Sequence, residues 1–274
     1  MTFLAFIIAT GLYLTLGPGG PLHSDNWFLA LRRRVDAIEP DLWLGFILMV
    51  VVPCAALALV YAMLEELFGG AAMLIIGTAA LFFSFGRADF TSLIERFLSR
   101  CNVGDFEGGA LLLEQAGADI EAEDVQAFGR LAARTFLYEG FQRWFPAAFY
   151  FLLLGPFAAV AYRLIQLSAD DRRVPVGSLR HLADWLPSRL LLITLALVGN
   201  FEATRPIITQ KALDPEIETD ELFVLAIESS LMASNSDPEH RISPGAWVGQ
   251  VQELLKRAMV VWLVTVSVVV IVAG

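Results

Sequence analysis

Cysteine and histidine are scarce in this chain of 274 residues, with two of one and three of the other. Cys54 stands in an apolar run and Cys101 alone on a polar segment, so neither a disulfide nor a thiolate metal site is indicated. His23, His181 and His240 lie far apart at no metal-ligand spacing, and surface or interfacial places suit them. No metal or cofactor is expected. There is no GxxxxGKS/T loop, hence no P-loop nucleotide site. No Lys or Arg precedes the apolar core of the opening segment and no small-residue cleavage site follows it, so a cleaved signal peptide is not expected. Positive charge is also short, 19 Lys and Arg against 29 Asp and Glu, a net charge of −10 that disfavours nucleic acid as a partner. Internal repeats and low-complexity tracts are absent.

What is present is apolar. Hydrophobic residues make up 57% and the mean hydropathy is +0.63, more than a soluble domain can expose without aggregating. Leu42 to Leu64 and Leu67 to Gly86 carry no charge, and each matches the ~20 residues that cross a hydrocarbon core. Residues 2–17 read as a first span, broken at Gly17-Pro18-Gly19-Gly20. Ala258 to Gly274 reads as a last one, with Lys256 and Arg257 at the headgroups. Two apolar pieces fit badly as simple spans. Trp144 to Tyr162 is interrupted by Gly155-Pro156, which predicts a kink or a re-entrant turn. Leu190 to Phe201 is short of a span, which predicts an interfacial or partial insertion.

The fold class expected is all-α: a polytopic helical membrane protein with four to six membrane segments, some kinked or re-entrant, plus a small cytoplasmic helical domain. Residues 1–86 hold three N-terminal spans, 87–143 a cytoplasmic helical segment, 144–201 the kinked or re-entrant segments with an Arg-rich connector, 202–256 an acidic cytoplasmic segment, and 257–274 the C-terminal span. The positive-inside rule orients them. With both awkward pieces re-entrant, every basic segment, Arg32-Arg33-Arg34 and Arg163 to Arg189 included, falls on one side, giving four spans with both termini outside. With both crossing fully, the Arg-rich stretch 168–189 lies outside.

In the polar parts, Phe90, Leu93, Ile94, Phe97, Leu98 and Cys101 share one helix face, which predicts packing against something apolar, including segment 201–256. Gly104-Asp105-Phe106-Glu107-Gly108-Gly109 invites a phosphate or cation reading, but a glycine turn opening a helix explains it better. A helix is expected over about Val125 to Tyr138 and another over Thr219 to Met232. Ser243-Pro244 pairs an N-cap with a first-turn proline, and a helix from there can run unbroken into the last span.

The candidate ligand or partner site comprises Arg130, Arg134, Glu139, Arg163, Asp184, Trp185 and Arg189, all flanking the irregular membrane segments, with no catalytic residue among them. Arg130 and Arg134, one turn apart, can hold an anionic group or a lipid headgroup, or pair within the protein. In Asp184-Trp185-Leu186-Pro187-Ser188-Arg189, Pro187 is expected to start a helix too short to cross, Trp185 to fix its depth, and Arg189 to stay at the membrane edge. Asp184 and Arg189 would then face a polar ligand or partner at a cytoplasmic mouth.

The order RWFPAAFYFLLLGPFAAVAYRLIQL, an Arg-rich connector, then DWLPSRLLL resembles the AmpE family, clearest from about Phe85 to Val198. These are bacterial inner-membrane proteins associated with inducible β-lactamase control and peptidoglycan recycling, distantly related to the CbiB/CobD cobinamide-phosphate synthases. Trp185, Pro187 and Arg189 are similar to the synthases' Trp-x-Pro-x-Arg element. Where their Asn-Thr-Leu-Asp-Ser-Met signature would stand, this chain has Arg163-Leu164-Ile165-Gln166-Leu167-Ser168, without the acidic residue that helps bind metal or nucleotide. The resemblance implies a multi-pass inner-membrane protein, non-enzymatic, with the lipid bilayer and the cytoplasmic amidase AmpD as partners and a small anionic ligand as a further one. The alternatives are a membrane enzyme forming an amide or phosphoester bond, and a lipid-binding or transport protein.

Overall fold

The computed structural model describes residues 1–16, 24–38, 41–87, 89–120, 124–168, 176–234 and 242–273, with the side chains of residues 42, 176–178, 234, 270, 271 and 273 left aside. The break expected at Gly17 to Gly20, the connector residues Arg172 and Arg173, Pro238, His23 and His240 lie outside these. Within them the chain is all helical, without a strand. In order the helices are α1 (Thr2–Leu16), α2 (Asn26–Asp36), α3 (Leu42–Phe46), α4 (Val52–Phe68), α5 (Gly70–Ser84), α6 (Phe90–Asn102), α7 (Phe106–Gln115), α8 (Val125–Leu154), α9 (Pro156–Leu167), α10 (Val176–Val198), α11 (Phe201–Gln210), α12 (Thr219–Ser234) and α13 (Pro244–Ala273). A wide π turn over Ile47–Val51 joins α3 to α4 just ahead of Pro53, whose ring and missing N–H disturb the regular ladder there.

By contacts the chain forms two units, Met1–Asp89 with Gln142–Asp184, and Phe90–Phe141 with Trp185–Gly274. In the first, α5 packs on α1, α4 and α9. The α1 approach is close because the facing residues are small: a Cβ on Gly77 would stand 3.2 Å from Ala5 Cβ. An apolar cluster joins Phe28 and Val35 of α2 to Met49, Val50, Ala80, Val160 and Leu164. The chain breaks after Leu154, where Gly155 takes φ 91°, open to glycine and costly for other residues, and Pro156 opens α9 at its first turn. At the end of α5 the Gly86 N–H donates to Arg143 O at 2.8 Å, and a Cβ there would meet Arg143 Cγ at 2.3 Å and its Cα at 3.1 Å. Only glycine fits so near another backbone.

In the second unit the apolar stripe of α6 is buried through Leu93, Ile94 and Phe97, and α6 packs on α7 and α13. Burial of such side chains stabilises by about 1.5–3 kcal/mol each. Phe97 meets Phe136 edge-on at 5.1 Å and Phe141 meets Phe223 at the same spacing, so the segments 87–143 and 201–256 share a core. Asp105 caps α7, accepting from Gly108 N at 2.9 Å and from Arg100 at 2.8 Å. Those bonds hold its carboxyl below the usual range, the Gly108 bond most. The glycine-rich turn thus opens a helix whose N-terminus is already occupied by its own aspartate. Ser243 Oγ accepts from Ala246 N at 3.2 Å and Pro244 begins α13, 30 residues long.

Among the described residues two helices are long and apolar enough to cross a membrane by length and composition, Trp43–Phe68 with 26 residues and Leu179–Val198 with 20. Thr2–Leu16 and Gly70–Ser84 are shorter apolar helices. The second long helix corrects the expectation that Pro187 starts a helix too short to cross. Pro187 lies inside α10, which begins eleven residues earlier at Val176. A proline at that place leaves the carbonyl of residue 183 without its helical donor. Tyr150 Oη donates to Ala183 O at 2.6 Å and takes that donor's place, so the helix continues. The uncharged run Leu190 to Phe201 is short because Arg189 bounds it, yet Arg189 and Asp184 are both buried within the helix, 5% and 1% exposed.

Tyr150→Phe should therefore lower stability by about 1–3 kcal/mol through a buried carbonyl left unpaired. Gly86→Ala should lower it by about 1–3 kcal/mol through overpacking against Arg143. Thermal unfolding of the purified protein reads both. Burial and the nearby Asp105 push the Cys101 thiol from 9.0 up to about 11. In a Cys54→Ser background, maleimide labelling of Cys101 at pH 8 should run about a hundredfold slower than for a thiol of ordinary pKa, and equal rates would contradict that burial.

Candidate functional site

Arg130 and Arg134 project from one face of α8 towards α12, whose acidic first turn suits a helix start. Arg130 pairs with Glu228 and Arg134 Nε with Asp220 at 2.8 Å. The Asp220 hydrogen bond leads the influences that raise the Arg134 pKa, so its charge is secure. Arg130, Arg134 and Glu228 line a cleft of about 740 Å³ together with Glu221, Met232 and Trp247. Trp247 is buried, pressed on Gly129 so that a Cβ there would lie 2.7 Å from its Cδ1, and its Nε1 has no partner among the described residues. Of the seven predicted site residues only Arg130 and Arg134 line this cleft. Glu139, further along α8, is half-buried.

Arg189, in the same unit, turns to the chain's own backbone. Its Nε donates to Ala212 O at 2.9 Å, and its Nη2 to Asp214 O at 3.0 Å and Ile217 O at 3.4 Å. Its Nη1 reaches Ser188 Oγ at 3.0 Å, and the guanidinium lies 5.0 Å from the centre of the Trp185 ring. One planar fork thereby fixes the turn between α11 and α12, something a lysine ammonium cannot span. The turn sets where α12, with Asp220 and Glu228, begins.

The other two predicted residues belong to the first unit. Asp184 accepts from Tyr162 Oη at 2.8 Å, and Tyr162 in turn accepts from Gln166. Tyr150 and Tyr162 lie 5.6 Å apart, so two tyrosines of α8 and α9 serve adjacent polar atoms of α10. Arg163 Nη2 and Arg87 Nη2 each hold one oxygen of Asp25 at 2.9 Å. Arg87 Nη1 also donates to Phe83 O and Phe85 O, both at 2.7 Å. Burial and the neighbouring Arg163 bring the Arg87 pKa down to about 10, still cationic at neutral pH. The Nε atoms of Arg87 and Arg163 are buried without a partner among the described residues.

Sequence reasoning missed Asp25, Arg87, Tyr150 and Tyr162. The Asp25 contacts join residues 62 and 138 positions apart, and no spacing rule reaches that far. Pro187 did offer a signal for Tyr150, since an in-helix proline calls for a substitute donor. No protein-family model, curated protein or solved structure matches the chain.

Arg189→Lys should free the turn. Hydrogen exchange at residues 211–218 is expected to rise, and stability to fall by on the order of 3 kcal/mol, as backbone carbonyls lose a charged donor. Unchanged exchange there would contradict the clamp.

Proposed function

We propose that this chain is a multi-pass protein of the bacterial inner membrane that modulates peptidoglycan recycling and β-lactamase induction as a signalling scaffold, acting with the cytoplasmic amidase AmpD. Three features support the membrane part. The helix Trp43–Phe68 is long enough to cross, only 11% of its most apolar window is buried within the chain, and outward residues such as Leu59, Met63 and Leu67 are apolar. The regulatory part follows the AmpE-like order of RWFP, RLIQL and DWLPSR.

The observation that carries the scaffold reading over a catalytic one is the Arg189 clamp. The arginine of the DWLPSR element builds the entry to α12, and α12 pairs Asp220 and Glu228 directly with Arg134 and Arg130 beside an open cleft lined by Arg130, Arg134 and Glu228. A cleft with paired charges on its walls and an apolar floor suits a protein segment, because the exposed ion pairs give register and the apolar residues give contact area. AmpD is the proposed occupant.

Deleting the gene should alter both β-lactamase induction and the anhydro-muropeptide pool, and unchanged values of both would overturn the proposal. In complementation, Arg130→Glu should impair regulation and AmpD co-purification, whereas Arg130→Glu combined with Glu228→Arg should restore the fold of the cleft. Full activity of Arg130→Glu alone would remove this cleft from the account.

A further inference from the structure

The first unit contains a cleft of about 410 Å³, within the roughly 300–1,000 Å³ of small-molecule sites. Its walls come from α4, α5 and α9 with Trp27 of α2, and they are almost wholly apolar: Ala56, Leu57, Val60, Ile76 and Phe83 among them. Water has little to bond to there, so an apolar occupant is favoured.

The cleft adjoins the two-arginine centre through three segments at once. Phe83 lines the cleft, its carbonyl accepts from Arg87, and its ring lies 4.8 Å from the Arg87 guanidinium carbon. Val160 lines the cleft one helical turn before Arg163, and Trp27 lines it two residues after Asp25, its ring 5.7 Å from that of Phe83. Among the described residues two guanidiniums share the Asp25 carboxylate, with Arg143 and Asp89 also nearby, so arginines outnumber carboxylates, and each of the two keeps a buried Nε without a partner among those residues. A half-buried pair of like charges is costly unless an anion joins it.

We propose that this cleft and its arginines bind an anionic lipid, the acyl or prenyl chain lying along α4 and α5 and the phosphate-type headgroup meeting Arg163 and Arg87. The apolar cleft selects a chain, and the excess charge selects an anionic head. Phosphate oxygens suit the planar donor fork of arginine better than the spread charge of a zwitterionic head. The inference rests on the membrane part of the proposed function and is independent of the regulatory part. Membrane fractionation of cells producing the chain tests that part alone: recovery in the soluble fraction would remove the membrane reading while leaving lipid binding to be measured.

The test titrates the full chain, in micelles of an uncharged detergent, with dioleoyl phosphatidic acid, dioleoyl phosphatidylcholine, dioleoylglycerol or inorganic phosphate, reading bound lipid by native mass spectrometry and ligand-induced shifts in Tm. Phosphatidic acid should bind about tenfold or more tightly than each of the other three. Arg163→Ala should bring its affinity down to that of dioleoylglycerol, and Arg163→Lys should recover part of it. Ala56→Trp, placed on an exposed part of α4 away from the arginines, should fill the cleft and weaken binding about tenfold, which keeps the test valid if Arg163→Ala does not fold. Equal affinity for phosphatidic acid and phosphatidylcholine would overturn the proposal. So would inorganic phosphate binding as tightly as phosphatidic acid, or folded Arg163→Ala and Ala56→Trp proteins binding like the parent.

Discussion

The Tyr150 hydroxyl on the Ala183 carbonyl is the interaction on which the irregular half of the molecule depends. Without it, Pro187 would leave a bare carbonyl in the middle of an apolar helix, and such a group costs several kcal/mol away from water. One residue on, Asp184 receives the Tyr162 hydroxyl. Five further on, Arg189 finds main-chain carbonyls. The carbonyl freed by Pro187 and the buried charges of Asp184 and Arg189 are each answered by a group from elsewhere in the chain, so the helix carries the proline and these two charges without ending.

The same rule governs the remaining helices. Where backbones approach, side chains are withdrawn, as at Gly86 against Arg143 and Gly77 against Ala5. Where a helix starts, a side-chain oxygen meets its orphan N–H groups, as Asp105 does for α7, Asn200 for α11 and Ser243 for α13. Exposed or buried, the arginines that build these contacts hold carboxylates or carbonyls. Arg130, Arg134 and Arg189 have theirs, and the pair Arg87 and Arg163 must share one. That sharing of one carboxylate by two guanidiniums sets this centre apart among the described residues.

Much of this was legible in the sequence where the signal is local. The apolar stripe of α6, the cap and proline at Ser243-Pro244, the glycine turn ahead of α7 and the break at Gly155-Pro156 are each written within a dozen residues, and each is present. The reading of Pro187 failed because the rule that places proline at a helix start assumes no donor can replace the missing one. Tyr150, which replaces it, is remote in sequence. The charge count failed likewise, since a charge bounds an apolar run only when it must stay wet. The amphipathic α2 is hard to read because Arg32-Arg33-Arg34 looks like a charged flank of the first span, whereas Phe28 and Val35 bury the other face of the same helix.

The central claim is that α10 is one continuous helix through Pro187, with Asp184 and Arg189 turned inward and answered by the chain. Nitroxide labels placed singly along residues 179–198, in the protein reconstituted into lipid bilayers, test it through their accessibility to oxygen. The account predicts an unbroken helical period, with labels at Leu182, Leu186, Ile193 and Leu197 accessible and those at Asp184, Ser188, Leu192 and Leu195 shielded. A period that breaks at Pro187, or an accessible position 184, would contradict it.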